Sequence, residues 1–487
     1  MASSPTDPTF IRLDDIGGGP ARPPRADVLR APLLGRLLRM RNGRLWLQIP
    51  FFLVAALLVY DGLTGPPLAP QNLATVTVWI HTRGLVILAA LLAGNLFCMG
   101  CPFTLPRTLA RRLSGRGRRW PRALRNKWLA VLAFVGFLFL YEWLDLWAGP
   151  RLTAGVILGY FAAAFLLEAL FAESPFCKYV CPLGTFNFVA NTAAPTQITV
   201  RDGDVCRACP GKECVNGSAR VLGCGTELFP PTLRSNLDCV LCLDCARACP
   251  YDNVALAVRP PGREWTVAGA WPRRWDVSFL VLVFAFAAVS NAFGMVPPFY
   301  DVQTWLAGLG LRGEGWRLAL TFTALNLVLP ALAGLAAAGL SRALAGRPEP
   351  LRVAFSRFAP AFVPLAVAIW LAHYGFHFAT GALTLVPVLQ SFLLAHGLAW
   401  LGAEPNWALG ALLPGGWLLP LQTAAVLAGF GGALFTGQRI ARRDCDDPAL
   451  AVRALLPWLA VLLALAVAAL ATFNLPMEMR GTIQLGG

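Results

Sequence analysis

Apolar runs of roughly twenty residues recur between residues 45 and 473, separated by short polar connections. A helix of that length matches the hydrocarbon thickness of a bilayer. The pattern predicts spans over 45–63, 75–97, 127–147, 152–173, 275–296, 316–340, 353–379, 416–438 and 451–473, with a weaker apolar segment at 383–400. Two stretches break the pattern. Residues 1–44 are polar, rich in Gly, Pro and Arg, and read as a flexible basic tail. Residues 195–272 contain no span. The expected class is an all-α polytopic membrane bundle of about nine spans with an inserted cytoplasmic domain. A first membrane domain covers 45–194, the insert covers 195–272, and a second membrane domain covers 273–487.

Composition agrees with this reading. The chain is 56% hydrophobic and only 14% charged, which excludes both an ordinary soluble domain and a disordered chain. The net charge of +15 would suggest nucleic acid in a soluble protein. Here the basic residues sit between apolar runs as topology signals, with no recognition motif beside them, so nucleic-acid binding is not expected. The first apolar run starts too late for a secretory signal. Arg107, Arg111, Arg112, Arg116, Arg118 and Arg119 place the loop after span 2 in the cytoplasm of a bacterial inner membrane. The segment 383–400 decides the last turns. If it crosses, Arg439, Arg442 and Arg443 land outside. If it lies in the outer interface, they land inside and the C-terminus outside. Pro387, Gln390, Ser391 and His396 make it a poor span, which favours the second arrangement.

Twelve of the 13 cysteines fall between Cys98 and Cys249. Cys239-x2-Cys242-x2-Cys245-x3-Cys249-Pro250 is a bacterial ferredoxin run, in which the Cys before Pro ligates the other cluster of a two-cluster domain. Zinc usually takes two separated pairs instead. Cys206, Cys209, Cys214 and Cys224 form a less regular partner half. Four plus four thiolates supply two [4Fe–4S] clusters. The crossed pattern gives one cluster Cys206, Cys209, Cys214 and Cys249, and the other Cys224, Cys239, Cys242 and Cys245. Exchange of Cys214 with Cys224 stays open, as does one cluster with four incidental thiols. The insert is thus read as a two-cluster ferredoxin-like domain.

A repeat precedes it. Spans 1–2 end in Cys98-Met99-Gly100-Cys101-Pro102, and spans 3–4 end in Cys177-Lys178-Tyr179-Val180-Cys181-Pro182. Two parallel repeats packed about an axis normal to the membrane would bring these four thiols together. Three readings stay open for them: a third iron–sulfur or other metal centre, redox-active thiols, or inert buried thiols. Cys445 reads as a lone exposed thiol without a role.

Four histidines, His81, His373, His377 and His396, fall near the outer face on this topology. His373 and His377 share a helix face. A quinone site, haem b and plain interfacial histidines are the alternatives. The two cannot be both axial ligands of one haem, so His81 or His396 would have to reach across the bundle. Glu168 is an ionisable group within a span and therefore a functional candidate. Glu142 and Asp145, among Tyr141, Trp143 and Trp147, read as an interfacial belt.

The segments 97–102, 176–184 and 239–250 together resemble the membrane-bound polyferredoxins. That family includes the H subunit of the periplasmic nitrate reductase system, the C-terminal part of the nitrous-oxide reductase regulator and the cytochrome-oxidase assembly ferredoxin. The resemblance covers roughly 45–260 and implies electron exchange between the quinone pool and a partner redox protein. The expected function is membrane-associated electron transfer, and no catalytic residue is identified. The rival reading is a cofactor-assembly or metal-reducing factor. Met477 and Met479 are the one local methionine pair in the outer tail that would serve it.

Overall fold

The computed structural model describes residues 26–40, 42–106, 110, 117–171, 174–218, 221–478 and 480. Residues 1–25, Arg107, Arg111, Arg112, Arg116 and Met479 lie outside these. Residues 26–40 and 42–44, expected within a flexible tail, are instead docked. Leu29 is fully buried among Ile198, Leu241 and Leu256, and Asp27 pairs with Arg201 at 2.7 Å. The short helix α1 (Leu34–Arg39) follows. The sequence misled because its Gly- and Pro-rich beginning runs straight into a docked segment.

Two helical hairpins come next. α2 (Gly43–Thr64) and α3 (Leu73–Leu92) form the first. Phe51, Phe52, Leu53 and Val54 of α2 remain exposed, as suits a surface facing lipid. α3 stops where Gly94 adopts φ +113, a left-handed conformation that glycine reaches without strain. The one-turn helix α4 (Leu96–Gly100) follows. The second hairpin is α5 (Trp128–Trp143) and α6 (Pro150–Leu170). α5 has only 16 residues, shorter than the stretch expected, because the chain turns at Asp145 with φ 45. A π-helical turn at Phe176–Val180 leads into α7 (Pro182–Ala190).

The cysteine-rich segment is built on β1 (Thr196–Val200) and β2 (Val254–Val258), paired antiparallel from Thr196↔Val258 to Val200↔Val254. Between them lie α8 (Gly203–Ala208) and α9 (Asp244–Ala248). A buried pair, Arg259–Glu264 at 2.6 Å, ties the segment to the end of α7 through Thr192 O and Ala194 O.

α10 (Trp275–Phe293) is the central post. Sixteen of its 19 residues are buried, as expected of a helix that is apolar all round. α11 (Glu314–Leu344), α12 (Phe362–Gly381), α13 (Leu385–Ala395), α14 (Leu418–Asp444) and α15 (Pro448–Phe473) surround it. Among the described residues eight helical stretches are long and apolar enough to cross a bilayer; α5 is a shorter apolar helix. The chain is an all-α polytopic membrane bundle.

The 383–400 segment contains α13, whose 11 residues are too short to cross alone. His396, just after it, meets the Tyr60 hydroxyl at 3.0 Å, near the end of α2. α14 then runs to the end of the bundle that carries the cysteines. There Arg443 donates to Thr266 O at 3.2 Å, and Asp444 pairs with Arg273 at 3.0 Å. α15 returns to the opposite end, where Glu478 N donates to Met295 O at 2.8 Å.

Candidate functional site

The thiols gather in three groups. The first group lines one pocket and comprises Cys206, Cys209, Cys214 and Cys249. Cys206 lies within α8, and Cys209 and Cys249 cap the C-termini of α8 and α9. Asn253 donates from its amide side chain to Cys206 Sγ at 3.1 Å and from its backbone to Cys249 Sγ at 3.4 Å. Burial pushes the Cys214 thiol up to about 12, and neighbouring Cys206, Cys249 and Cys209 add to that.

The second group is Cys239, Cys242 and Cys245, with Cys224 in electrostatic reach of all three. Leu241 and Leu243 flank Cys242 with φ of 51 and 62, although neither is glycine. Such strained backbone persists only where surroundings over-determine it, and it clusters at ligand clamps. Leu228 N donates to Cys224 Sγ at 3.3 Å. The structure therefore sets Cys214 with the first group and Cys224 with the second.

The third group lines a pocket at the cysteine end of the two hairpins: Cys98, Cys101, Cys177 and Cys181, with Arg44 and Val240 in its wall. The two hairpins contribute equivalently. Cys101 and Cys181 each cap the N-terminus of the next short helix, with Pro102 and Pro182 at its first position. Gly184 N donates to Cys181 Sγ at 3.1 Å, and the Asn187 amide donates to Cys98 Sγ at 3.3 Å. Burial pushes Cys98 up to about 11 and Cys101 to about 12. It raises Cys177 and Cys181 as well. Burial thus disfavours the thiolate form at all four.

Among the described residues no three His, Cys, Asp or Glu side chains converge on a point where one metal ion would sit. Four thiols spread around a void are a different donor set. An iron–sulfur cluster takes its thiolates at separate iron corners, a wider donor arrangement than a single ion takes.

Several residues near these groups escaped sequence reading. Arg44 counted there only as a topology charge. It is half-buried, and it donates to Met99 O at 3.1 Å and Thr104 Oγ1 at 3.0 Å while facing Asp244 at 3.5 Å. Asn95 accepts from Cys98 N at 3.3 Å and donates to Cys239 O at 3.1 Å, so it joins the third group to the second. No spacing rule marks either residue. Glu168 is buried, accepts from Ser174 at 3.2 Å and lies in electrostatic reach of Cys177. Cys445 is buried beside Arg347 at 3.0 Å, not exposed. Glu142 is not part of a belt. It forms a buried ion pair with Arg480 at 2.6 Å.

The histidines separate. His81 has both ring nitrogens against carbonyls, Val76 O at 3.0 Å and Ala382 O at 2.8 Å. His396 is held by Phe392 O and Tyr60. Neither offers the cross-bundle haem ligand that the sequence required. His373 and His377 are buried with ring centroids 4.9 Å apart, and both nitrogens of His373 and Nε2 of His377 have no hydrogen-bond partner. Arg83 lies nearby, its guanidinium 4.2–5.2 Å from the ring centres of Tyr141, Trp79 and Tyr374.

The chain is similar to the ferredoxin-type protein NapH of Escherichia coli (strain K12). The two are 26% identical over 219 residues, which cover 40% of this chain and 75% of NapH. The likeness drawn from the cysteine motifs is thus met by this comparison. No protein-family model matches the chain. No solved structure matches it.

Proposed function

We propose that this protein transfers electrons between the quinone pool and a partner redox protein, through two [4Fe–4S] clusters carried by the cysteine-rich segment. The arginine pattern puts that segment on the cytoplasmic side of a bacterial inner membrane. The observation that carries the reading is the grouping of Cys206, Cys209, Cys214 and Cys249 around one void, with Cys224 beside Cys239, Cys242 and Cys245. This is the crossed ligand pattern of a two-cluster ferredoxin, and NapH is ferredoxin-type by name. The clusters supply one-electron chemistry. The protein sets their spacing, their potential and the partner that docks.

The quinone end is assigned to His373 and His377. Buried imidazole nitrogens without partners are costly unless a ligand satisfies them. Trp370 Nε1 donates to Phe284 O at 3.1 Å, which fixes the register of α12 on α10. Seven residues further along both helices, His377 and Asn291 share a level, and Asn291 Oδ1 also lacks a partner. Arg83 completes a polar cluster suited to a quinone headgroup. Phe186, five residues beyond Cys181, packs on Trp370 at 5.2 Å and on Tyr374 at 5.9 Å, linking the pair to α7. A quinol releases two electrons and two protons. The electrons leave singly through the clusters, and the protons leave at the histidine end.

The test is electron exchange with a short-tailed quinone, followed by visible absorbance and EPR on anaerobically purified protein. Exchange should occur in at least one direction, from quinol to oxidised clusters or from dithionite-reduced clusters to quinone. The double variant His373→Leu/His377→Leu should slow it by roughly tenfold or more, a loss of about 1.4 kcal/mol in barrier terms, while dithionite still reduces the clusters. Dithionite-reducible clusters that exchange with quinone in neither direction would reject the quinone assignment.

A further inference from the structure

We infer that Cys98, Cys101, Cys177 and Cys181 hold a third [4Fe–4S] cluster, shared between the two helical hairpins. This goes beyond the two ferredoxin sets, but its place in an electron path rests on the reading above.

Four observations converge. First, all four thiols line one pocket, as the four thiols of the first ferredoxin group line another. Each hairpin supplies two thiols, so neither can build the site alone. Second, the surroundings are those of a bound anion. Two sulfurs receive N–H donors, from Gly184 and Asn187. Cys181 stands at the N-terminus of the nine-residue α7, where the backbone carries partial positive charge. Third, the partly buried Arg44 lines the pocket and interacts with Cys101, Cys177 and Cys242. A cation held there offsets the negative charge of a four-thiolate cluster in a low-dielectric site. Fourth, the void abuts the second ferredoxin group. Val240 forms part of its wall, Asn95 bridges the Cys98 and Cys239 backbones, and Cys98 lies in electrostatic reach of Cys239.

The order of centres follows from these contacts. The membrane-edge cluster neighbours the Cys239 group. The Cys206 group lies farther out, beside the exposed Tyr251. The third cluster is therefore the one through which an electron would pass between the bundle and the soluble-facing pair. Each transfer takes in one electron and releases one, with no atom exchanged.

Iron and acid-labile sulfide per chain, with native mass measurement, are determined on the full chain purified anaerobically in detergent. About twelve irons are expected, as three cubes of four, with the mass of three clusters. Cys98→Ser/Cys177→Ser should retain about eight irons and the EPR signals of the ferredoxin pair. Cys206→Ser/Cys214→Ser should lose a different set of four. About eight irons in the wild-type chain would overturn the third cluster and leave the ferredoxin reading standing. About ten would overturn the cube at this site. Four or fewer, with no reducible EPR signal, would overturn the ferredoxin reading instead. The wild-type mass decides the matter even if the serine variants fail to fold.

Discussion

At the scale of single residues, the informative side chains are those whose neighbours could not be read from the sequence. Arg44 is the clearest. In the linear pattern it belongs to a basic run before the first span, and in the fold it lies between the membrane-edge thiols and the Cys242 loop. Removing its charge should make both adjacent centres harder to reduce, because potentials follow local net charge. Arg44→Gln is expected to shift their midpoint potentials on the order of tens of millivolts negative. The Cys206-group cluster should stay unchanged in the same EPR-monitored titration. Equal shifts at all three centres would point to general disruption.

A second residue-scale prediction concerns the Glu142–Arg480 pair, in which both side chains are 5% exposed. Breaking a buried pair from one side leaves an uncompensated charge, so Arg480→Met should cost about 3–5 kcal/mol. Adding Glu142→Gln should recover much of the loss, as a drop and partial return of the thermal midpoint. A loss that persists in the double variant would show that Arg480 acts instead through Gly294 O, which it also bonds at 2.9 Å.

At the scale of elements, the repeated hairpin explains most of the site. Each unit ends in a short turn, a capping cysteine and a proline, and the second unit uses a π-helical turn at Phe176–Val180. π-turns are rare and favour functional positions. Another lies at Thr77–Thr82, immediately before Arg83. Helix contacts set the histidine end, where quinone exchange is proposed, as well. A Cβ added at Gly84 would meet Phe378 Cβ at 2.5 Å, so α3 and α12 touch at this glycine. Gly84→Leu should force these helices apart and displace Arg83 from the histidine pair. The expected result is impaired quinone exchange with unchanged iron content. Normal exchange in a folded variant would place the quinone elsewhere.

At the scale of the molecule, the cysteine-rich segment is fastened at several points. Asp27 and Leu29 from the N-terminal segment, Arg259–Glu264 at the base, and Arg443 and Asp444 from α14 all grip it or its return to the membrane. The loops around the thiols are less self-supporting, with left-handed leucines and open voids. Removing the clusters with a chelator and an oxidant should therefore raise hydrogen exchange in residues 203–252, while α10 and α12 stay protected. Uniform loosening would show that the clusters hold the whole fold together.

The sequence alone determined what depends on local composition and spacing. Apolar runs of bilayer length specified the membrane bundle, because every backbone polar group in lipid must bond within its own helix. The Cys-x2-Cys-x2-Cys-x3-Cys-Pro spacing specified ferredoxin chemistry, because one tight loop must reach several corners of one cluster. What only the tertiary structure decided involves partners far apart in the chain. Examples are the grouping of Cys214 and Cys224, the meeting of Cys98 with Cys177, the placement of Arg44 beside the thiols, and the docking of a segment that reads as tail. The same holds for the direction of α14, where the basic residues fitted either end until Arg443 and Asp444 met Thr266 and Arg273. Charge and hydropathy constrain each segment separately. Packing selects among the arrangements they leave equal, because only contacts between segments give those arrangements different energies.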